Sequence, residues 1–154
     1  MKNNKQGFTL IELLVVIAII GLLSTLSIVA LNSARARSRD ARRVSDIKQI
    51  QTALEMYYDV ADEYPTIGTG PNQLSTSTSP AIKYGSTTFM SFWPVAPTPR
   101  DNPGNASTPC TEANNVYAYT VSSNNTTYTL TYCLGGDTGE IPAGIRTASP
   151  GGIR

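Results

Sequence analysis

From Leu13 to Ala34 the chain carries no charged residue, and at about 1.5 Å rise these 22 positions would form a helix about 33 Å long. That matches the hydrocarbon core of a bilayer. The stretch is apolar on every side, so a helix here needs lipid or other helices around it. Past Ala34 the pattern changes. Val44, Ile47, Ile50, Leu54, Tyr57 and Tyr58 recur at steps of three and four, with Arg43, Asp46, Lys48, Gln49 and Glu55 between them. Proline is absent before Pro65, so the two patterns predict one helix from Phe8 to about Asp62. Its second half should lay an apolar stripe against a globular domain. Pro65, Gly68, Gly70 and Pro71 end the helix and open a Ser/Thr-rich surface loop through Ser79.

The downstream pattern is that of strands. Thr87 to Trp93 predicts a short strand before a proline-rich passage from Pro94 to Pro109. Tyr117, Tyr119 and Val121 alternate with Val116, Ala118 and Thr120. After Ser122 to Asn125, Tyr128, Leu130, Tyr132 and Leu134 alternate mainly with threonines. Two alternating runs around a polar connection predict an antiparallel hairpin over 116–134, its aromatic face on the helix stripe. Gly135 to Gly152 reads as a loop and a loosely held tail.

Composition narrows the chemistry. At 154 residues there is room for the helix and one globular domain. The chain has no histidine, which removes the commonest general base and transition-metal ligand. A formal charge of +1 gives no electrostatic case for nucleic acid. No catalytic activity is expected.

The most specific segment is Lys5-Gln6-Gly7-Phe8-Thr9-Leu10-Ile11-Glu12, a glycine, an aromatic and one carboxylate at the mouth of the uncharged stretch. It closely resembles the type IV pilins and pseudopilins, whose signature is a short basic leader ending in Gly, then Phe-Thr-Leu-Ile-Glu and an apolar helix. The resemblance is specific from Lys2 to about Pro65. Tyr64-Pro65 and Tyr117-Ala118-Tyr119 look most like the major pseudopilins of type II secretion. The resemblance implies a prepilin peptidase that cuts between Gly7 and Phe8 on the cytoplasmic side and methylates the new amine of Phe8. It also implies a homopolymer in which Glu12 pairs with the Phe8 amine of an adjacent subunit. An assembly platform with its ATPase is the further partner, and membrane lipid surrounds the helix before assembly.

The expected fold is α+β and pilin-like, a long helix packed through its second half on a small antiparallel sheet. The expected divisions are a leader (1–7), a transmembrane and assembly half (8–34), an amphipathic half (35–63) and an extracytoplasmic domain (64–154). Many relatives carry a proline where this chain reads Ser27-Ile28-Val29-Ala30, and Gly21 is then the weakest helix former of the span. Local melting on assembly is expected near Gly21 to Val29. Two readings of function follow: a filament subunit for adhesion, motility or DNA uptake, and a major pseudopilin of type II secretion. A non-polymerising membrane-anchored binding module is the alternative of another class.

Other residues carry weaker signals. Cys110 and Cys133, an even count in an exported domain, predict a disulfide, with two buried thiols as the alternative. Arg35, Arg37, Arg39, Arg42 and Arg43 predict contact with lipid headgroups and with acids of neighbouring subunits, aided by Asp40 and Asp46. DNA is a weaker reading of the same cluster. Two leader lysines against five arginines put the C-terminal side in the cytoplasm on a plain charge count. The leader resemblance and the expected disulfide overrule that count, giving a cytoplasmic N-terminus and an extracellular or periplasmic filament. Asp137 and Glu140, in a glycine-rich loop, are a minor calcium candidate by resemblance, although calcium wants six to eight oxygens. Sequons begin at Asn105, Asn124 and Asn125. Asp59, Asp62 and Glu63 read as a solvated helix end.

Overall fold

The computed structural model describes residues 8–67, 73–74, 81–100, 110 and 115–153. Among these residues one helix, α1 (Leu10–Ala61), is followed by eight short strands: β1 (Thr66–Ile67), β2 (Gln73–Leu74), β3 (Ile82–Tyr84), β4 (Thr87–Met90), β5 (Ala118–Val121), β6 (Tyr128–Leu134), β7 (Gly144–Ser149) and β8 (Gly152–Ile153). The chain divides into two units, one ending at Arg35 and the other running Ala36–Arg154.

In the first unit the helix is unbroken through Gly21 and Val29. Ser24, Thr25 and Ser27 donate their hydroxyls to the carbonyls of Ile20, Leu22 and Leu23 at 2.7–2.8 Å, so these polar side chains are satisfied without water.

In the second unit the helix stripe meets a four-stranded antiparallel sheet ordered β5-β6-β7-β8. Ile47, Ile50, Leu54 and Tyr57 share one core with Tyr119, Tyr128, Leu130, Tyr132 and Leu134, as the two periodicities require. Burying each of these side chains contributes about 1.5–3 kcal/mol. Aromatic rings fill the interior edge to face or tilted: Tyr57 lies 5.6 Å from Tyr84, Tyr64 4.7 Å from Tyr128, and Trp93 6.2 Å from Tyr119. β3 and β4 form a separate hairpin, turning at Gly85 with φ of 57°, where a Cβ would be strained. The helix ends one residue before Asp62, whose φ of 57° is the left-handed C-terminal cap and whose amide bonds the Tyr58 carbonyl at 2.8 Å.

Four expectations are corrected. The hairpin's first strand begins at Ala118, not Val116, and its connection spans Ser122 to Thr127. The strand expected over Thr87 to Trp93 stops at Met90, because Trp93 turns inward onto Tyr119, and its partner β3 was not anticipated. Gly135 to Gly152 is not a loop and tail: β7 pairs with β6 from Leu134↔Gly144 to Leu130↔Ala148, and β8 returns along β7. Main-chain pairing of the otherwise open β6 edge drives this, with Gly144 and Ala148 the buried residues of β7. Arg43, expected to meet lipid headgroups and acids of neighbouring subunits with the aid of Asp40 and Asp46, is buried together with those two acids.

Candidate functional site: the apolar helix and its terminal carboxylate

Every Leu, Ile and Val from Leu10 to Leu31 is exposed, from 48% to 81%, and Phe8 is 90% exposed. Over its most apolar window this helix has a mean hydropathy of 2.8, long and apolar enough to cross a membrane. Among the described residues nothing buries these side chains, so the surface they form is complete only in lipid or among other helices.

The start of this surface is chemically defined. The Thr9 amide donates to Glu12 Oε2 at 2.8 Å, the Thr9 hydroxyl donates to the same oxygen at 2.6 Å, and the Glu12 amide donates to Thr9 Oγ1 at 3.3 Å. This is a reciprocal capping box, with Thr9 as the N-cap and Glu12 as the third helical residue. Sequence reasoning singled out Glu12 and passed over Thr9, although Thr9-Leu10-Ile11-Glu12 carries the T-x-x-E signal. Phe8, Ile11, Val15 and Val16 line an apolar surface hollow around the Glu12 side chain. The carboxylate therefore stands fixed at the edge of an apolar wall. A Cβ on Gly21 would meet nothing within 4 Å, so no packing inside the chain requires glycine there. Gly7 lies outside the described residues.

In the second unit, a buried ion pair ties the helix to three other segments. Arg43 Nη1 donates to Asp40 Oδ1 at 2.7 Å, with both side chains 2–3% exposed. Asp40 also accepts the Gly135 and Gly136 amides at 2.9 Å each, and Arg43 Nη2 reaches the Pro97 carbonyl and Asn115 Oδ1. Beside it, the Tyr117 hydroxyl donates to Asp46 Oδ2 at 2.9 Å. Burial first, then that bond, pushes the Tyr117 pKa well up. Of the five arginines, Arg43 is thus withdrawn from any lipid or DNA surface, while Arg35, Arg37 and Arg42 remain exposed. Glu55 accepts the hydroxyls of Tyr64 and Tyr128, whose pKa values rise through burial and the nearby carboxylate.

Cys110 and Cys133 are joined by a disulfide with Cα atoms 5.8 Å apart. It fixes the end of β6, next to the glycines that Asp40 holds. Asp137 and Glu140 line a shallow hollow with Gly139, Ile141 and Pro142. Asp137 Oδ1 already accepts the Ala143 amide at 2.8 Å. Among the described residues no three acidic, His or Cys side chains are placed to share a metal ion. Asp59, Asp62 and Glu63 are exposed at the helix end. Asn124 and Asn125 sit in the β5–β6 connection, with Asn124 Oδ1 bonded by Ser122 and Thr126, and Asn105 lies outside the described residues.

Comparisons with known proteins converge on this N-terminal helix. Residues 2–28 match the family model of the prokaryotic N-terminal methylation motif. The chain is 40% identical over 90 residues to the type IV major fimbrial protein FimA of Dichelobacter nodosus, covering 56% of each chain. It is 34% identical over 109 residues to the type II secretion system core protein G of Escherichia coli K12, covering 66% of this chain and 75% of that one. Against the core protein G of Aeromonas hydrophila it is 37% identical over 73 residues, 47% of this chain and 51% of that one. The chain thus spans from about half to three quarters of the length of these relatives. No solved structure matches. With the methylation motif over the start of a capped apolar helix, and a relative matched through most of its length, the chain belongs to the type IV pilin and pseudopilin family.

Proposed function

We propose that the chain is a structural subunit that polymerises through its N-terminal helix into a type IV pilus-like filament, with no catalysis of its own. The observation that carries this reading is the exposed apolar surface of Leu10 to Leu31 in a helix capped by a carboxylate. Before assembly that surface lies in the membrane with its N-terminus cytoplasmic, an orientation supported by the disulfide in the second unit. A prepilin peptidase removes Met1 to Gly7 and methylates Phe8, and an assembly platform with its ATPase extracts the subunit. In the filament, Glu12 exchanges its own Thr9 for the Phe8 amine of a neighbour, so cleavage creates the charge that assembly uses. Gly21 is the place for local melting of the helix.

The likeness to core protein G over 75% of that protein favours one further reading, a major pseudopilin of type II secretion. Electron microscopy of sheared surface filaments, with intact mass spectrometry of their subunit, tests the proposal. The expected result is filaments built from a chain that starts at methylated Phe8. A mature subunit retaining Met1, or the absence of filaments, overturns it. Short filaments only on overexpression, with a secretion defect on deletion, assign the pseudopilin instead.

A further inference from the structure

Five aromatic rings of the second unit form one continuous path from the core to the surface. Trp93, the only tryptophan of the chain, is buried with its ring 6.2 Å from that of Tyr119. Tyr119 and Tyr128 are diagonal neighbours on the inner face of the β5–β6 pair, since Val121 is the register partner of Tyr128, and their rings stack at 6.0 Å. The left-handed cap at Asp62 turns the chain back after α1, and the Tyr64 amide, bonded to the Asn125 carbonyl at 2.8 Å, holds that segment on the β5–β6 connection. Tyr64 is thereby set 4.7 Å from Tyr128 on one side and 4.7 Å from Tyr58 on the other. Tyr58, in the last turn of α1, is half-buried and reaches solvent. No step of the path exceeds 6.2 Å.

Indole and phenol are the aromatic side chains that give up an electron most readily, and an oxidised phenol is so strong an acid that its proton must have somewhere to go. The Tyr119 hydroxyl donates to the Pro65 carbonyl at 2.8 Å, which takes no proton. The hydroxyls of Tyr64 and Tyr128 instead donate to the Glu55 carboxylate, at 2.9 and 3.2 Å. A carboxylate is a competent proton acceptor. Burial holds Tyr64, Tyr119 and Tyr128 as neutral phenols by raising their pKa values, so electron and proton have to leave together. Phenylalanine would fill the same interior. What a run of phenols around one shared carboxylate adds is a route for a radical.

We propose that this path is a one-electron relay that repairs oxidised Trp93 by passing the electron vacancy to Tyr58, where a soluble reductant of the ascorbate class fills it. The initiating oxidant is a one-electron radical such as carbonate radical, which takes an electron from Trp93 and becomes carbonate. Trp93 regains an electron from Tyr128 by way of Tyr119, and the Tyr128 proton passes to Glu55. Tyr64 then gives its electron to Tyr128, with Glu55 returning a proton to Tyr128 and accepting the one from Tyr64. Tyr58 gives its electron to Tyr64, Glu55 returns its proton to Tyr64, and the Tyr58 proton leaves to water. Ascorbate supplies Tyr58 with one electron and one proton. The net change is reduction of the carbonate radical by ascorbate with release of one proton, and the protein ends as it began. The relay lies wholly in the second unit and is independent of the polymer reading.

The test is transient absorption on the full-length chain in detergent, flashed at the red edge of indole absorption with a pentaamminecobalt(III) salt as electron acceptor. With a single tryptophan, the vacancy starts at Trp93. The expected result is an indolyl radical that decays as a phenoxyl radical rises, more slowly in D2O, with ascorbate then removing the phenoxyl signal. Tyr119→Phe and Glu55→Gln should each leave the indolyl radical standing. Tyr58→Phe and Tyr64→Phe should still form a phenoxyl radical but lose its repair by ascorbate, and peptide mass spectrometry should find oxidised Trp93 accumulating. Tyr132→Phe, a buried tyrosine off the path, should match wild type. Thermal melts establish that each variant is folded, and the D2O effect is read on wild type alone. An indolyl radical that persists in wild type, transfer indifferent to D2O or to Glu55→Gln, or ascorbate repair unchanged in Tyr58→Phe each overturns the relay, whether or not the chain forms filaments.

Discussion

Up to Arg35 and from Ala36 onward, one continuous helix follows two opposite rules. In the first part every Leu, Ile and Val is exposed. In the second the apolar positions narrow to a stripe, and Ile47, Ile50 and Leu54 are fully buried. Both parts use the same residue types in the same backbone. The difference is burial: the second part finds it against the sheet of the same chain, and among the described residues the first does not. Substitutions in the first part should therefore change assembly and leave the domain's stability alone, and substitutions in the second should do the reverse.

The largest effect is expected at Glu12. Glu12→Gln keeps the reach needed for the capping box but removes the charge, and Glu12→Leu removes both. Each should leave the protein in the membrane and abolish filaments or reduce them sharply, by losing one side of an ion pair in a water-excluded core. Fractionation with microscopy, at matched expression, checks this. Normal filaments in Glu12→Gln would mean that capping, not charge, is what the carboxylate supplies.

Next comes the buried pair. Asp40→Ala should cost about 3–5 kcal/mol, since it strands a buried guanidinium and frees two glycine amides. Asp40→Leu combined with Arg43→Met should recover much of that loss, as measured by denaturant melts in detergent. Leu54→Ala should cost about 2–5 kcal/mol, whereas Leu23→Ala, of equal size but exposed, should leave the domain transition unmoved. Equal shifts from the two leucines would erase the contrast between the two parts of the helix. Replacing both Cys110 and Cys133 with Ser should cost roughly 3 kcal/mol, with filaments retained at low temperature.

The smallest effect is alkaline. Burial raises the pKa of Tyr57, Tyr64, Tyr117, Tyr119 and Tyr128, and pushes Tyr132 up to about 12. In the unfolded chain tyrosine titrates near 10. Above that pH the unfolded state loses protons first, so it is favoured as pH rises. The stabilisation is complete below pH 10 and declines from there through the folded-state values. Melting temperature and phenolate absorbance, followed together from pH 9 to about 12, should show ionisation arriving with unfolding.

The sequence made the long elements visible for simple reasons. No proline interrupts α1, and its apolar spacing shifts from all-round to striped at the point where charge resumes. Tyr117, Tyr119, Tyr128 and Tyr132 alternate cleanly enough to define both the hairpin and its inner face. β7 was hidden because Gly144, Ile145, Arg146, Thr147, Ala148 and Ser149 hold too little apolar bulk to alternate, and main-chain pairing makes the strand. Asp40, Arg43 and Asp46 were hidden because charge ordinarily argues for solvent, and only the fold shows that the glycine amides bonded to Asp40 come from 95 and 96 residues away. At the candidate site, Glu12 was legible from its isolation at the edge of an uncharged span, while the role of Thr9 needed the geometry.

An apolar stripe with spacings of three and four looks much the same after a shift of one turn, so grease alone indexes a helix poorly against a sheet. The pair Asp40 and Arg43 breaks that near-periodicity. A slip of one turn would bring Ala36 or Val44 to the two glycine amides and leave a carboxylate and a guanidinium facing apolar walls. Among several sliding positions of similar hydrophobic merit, one is marked, much as a single detent marks a vernier.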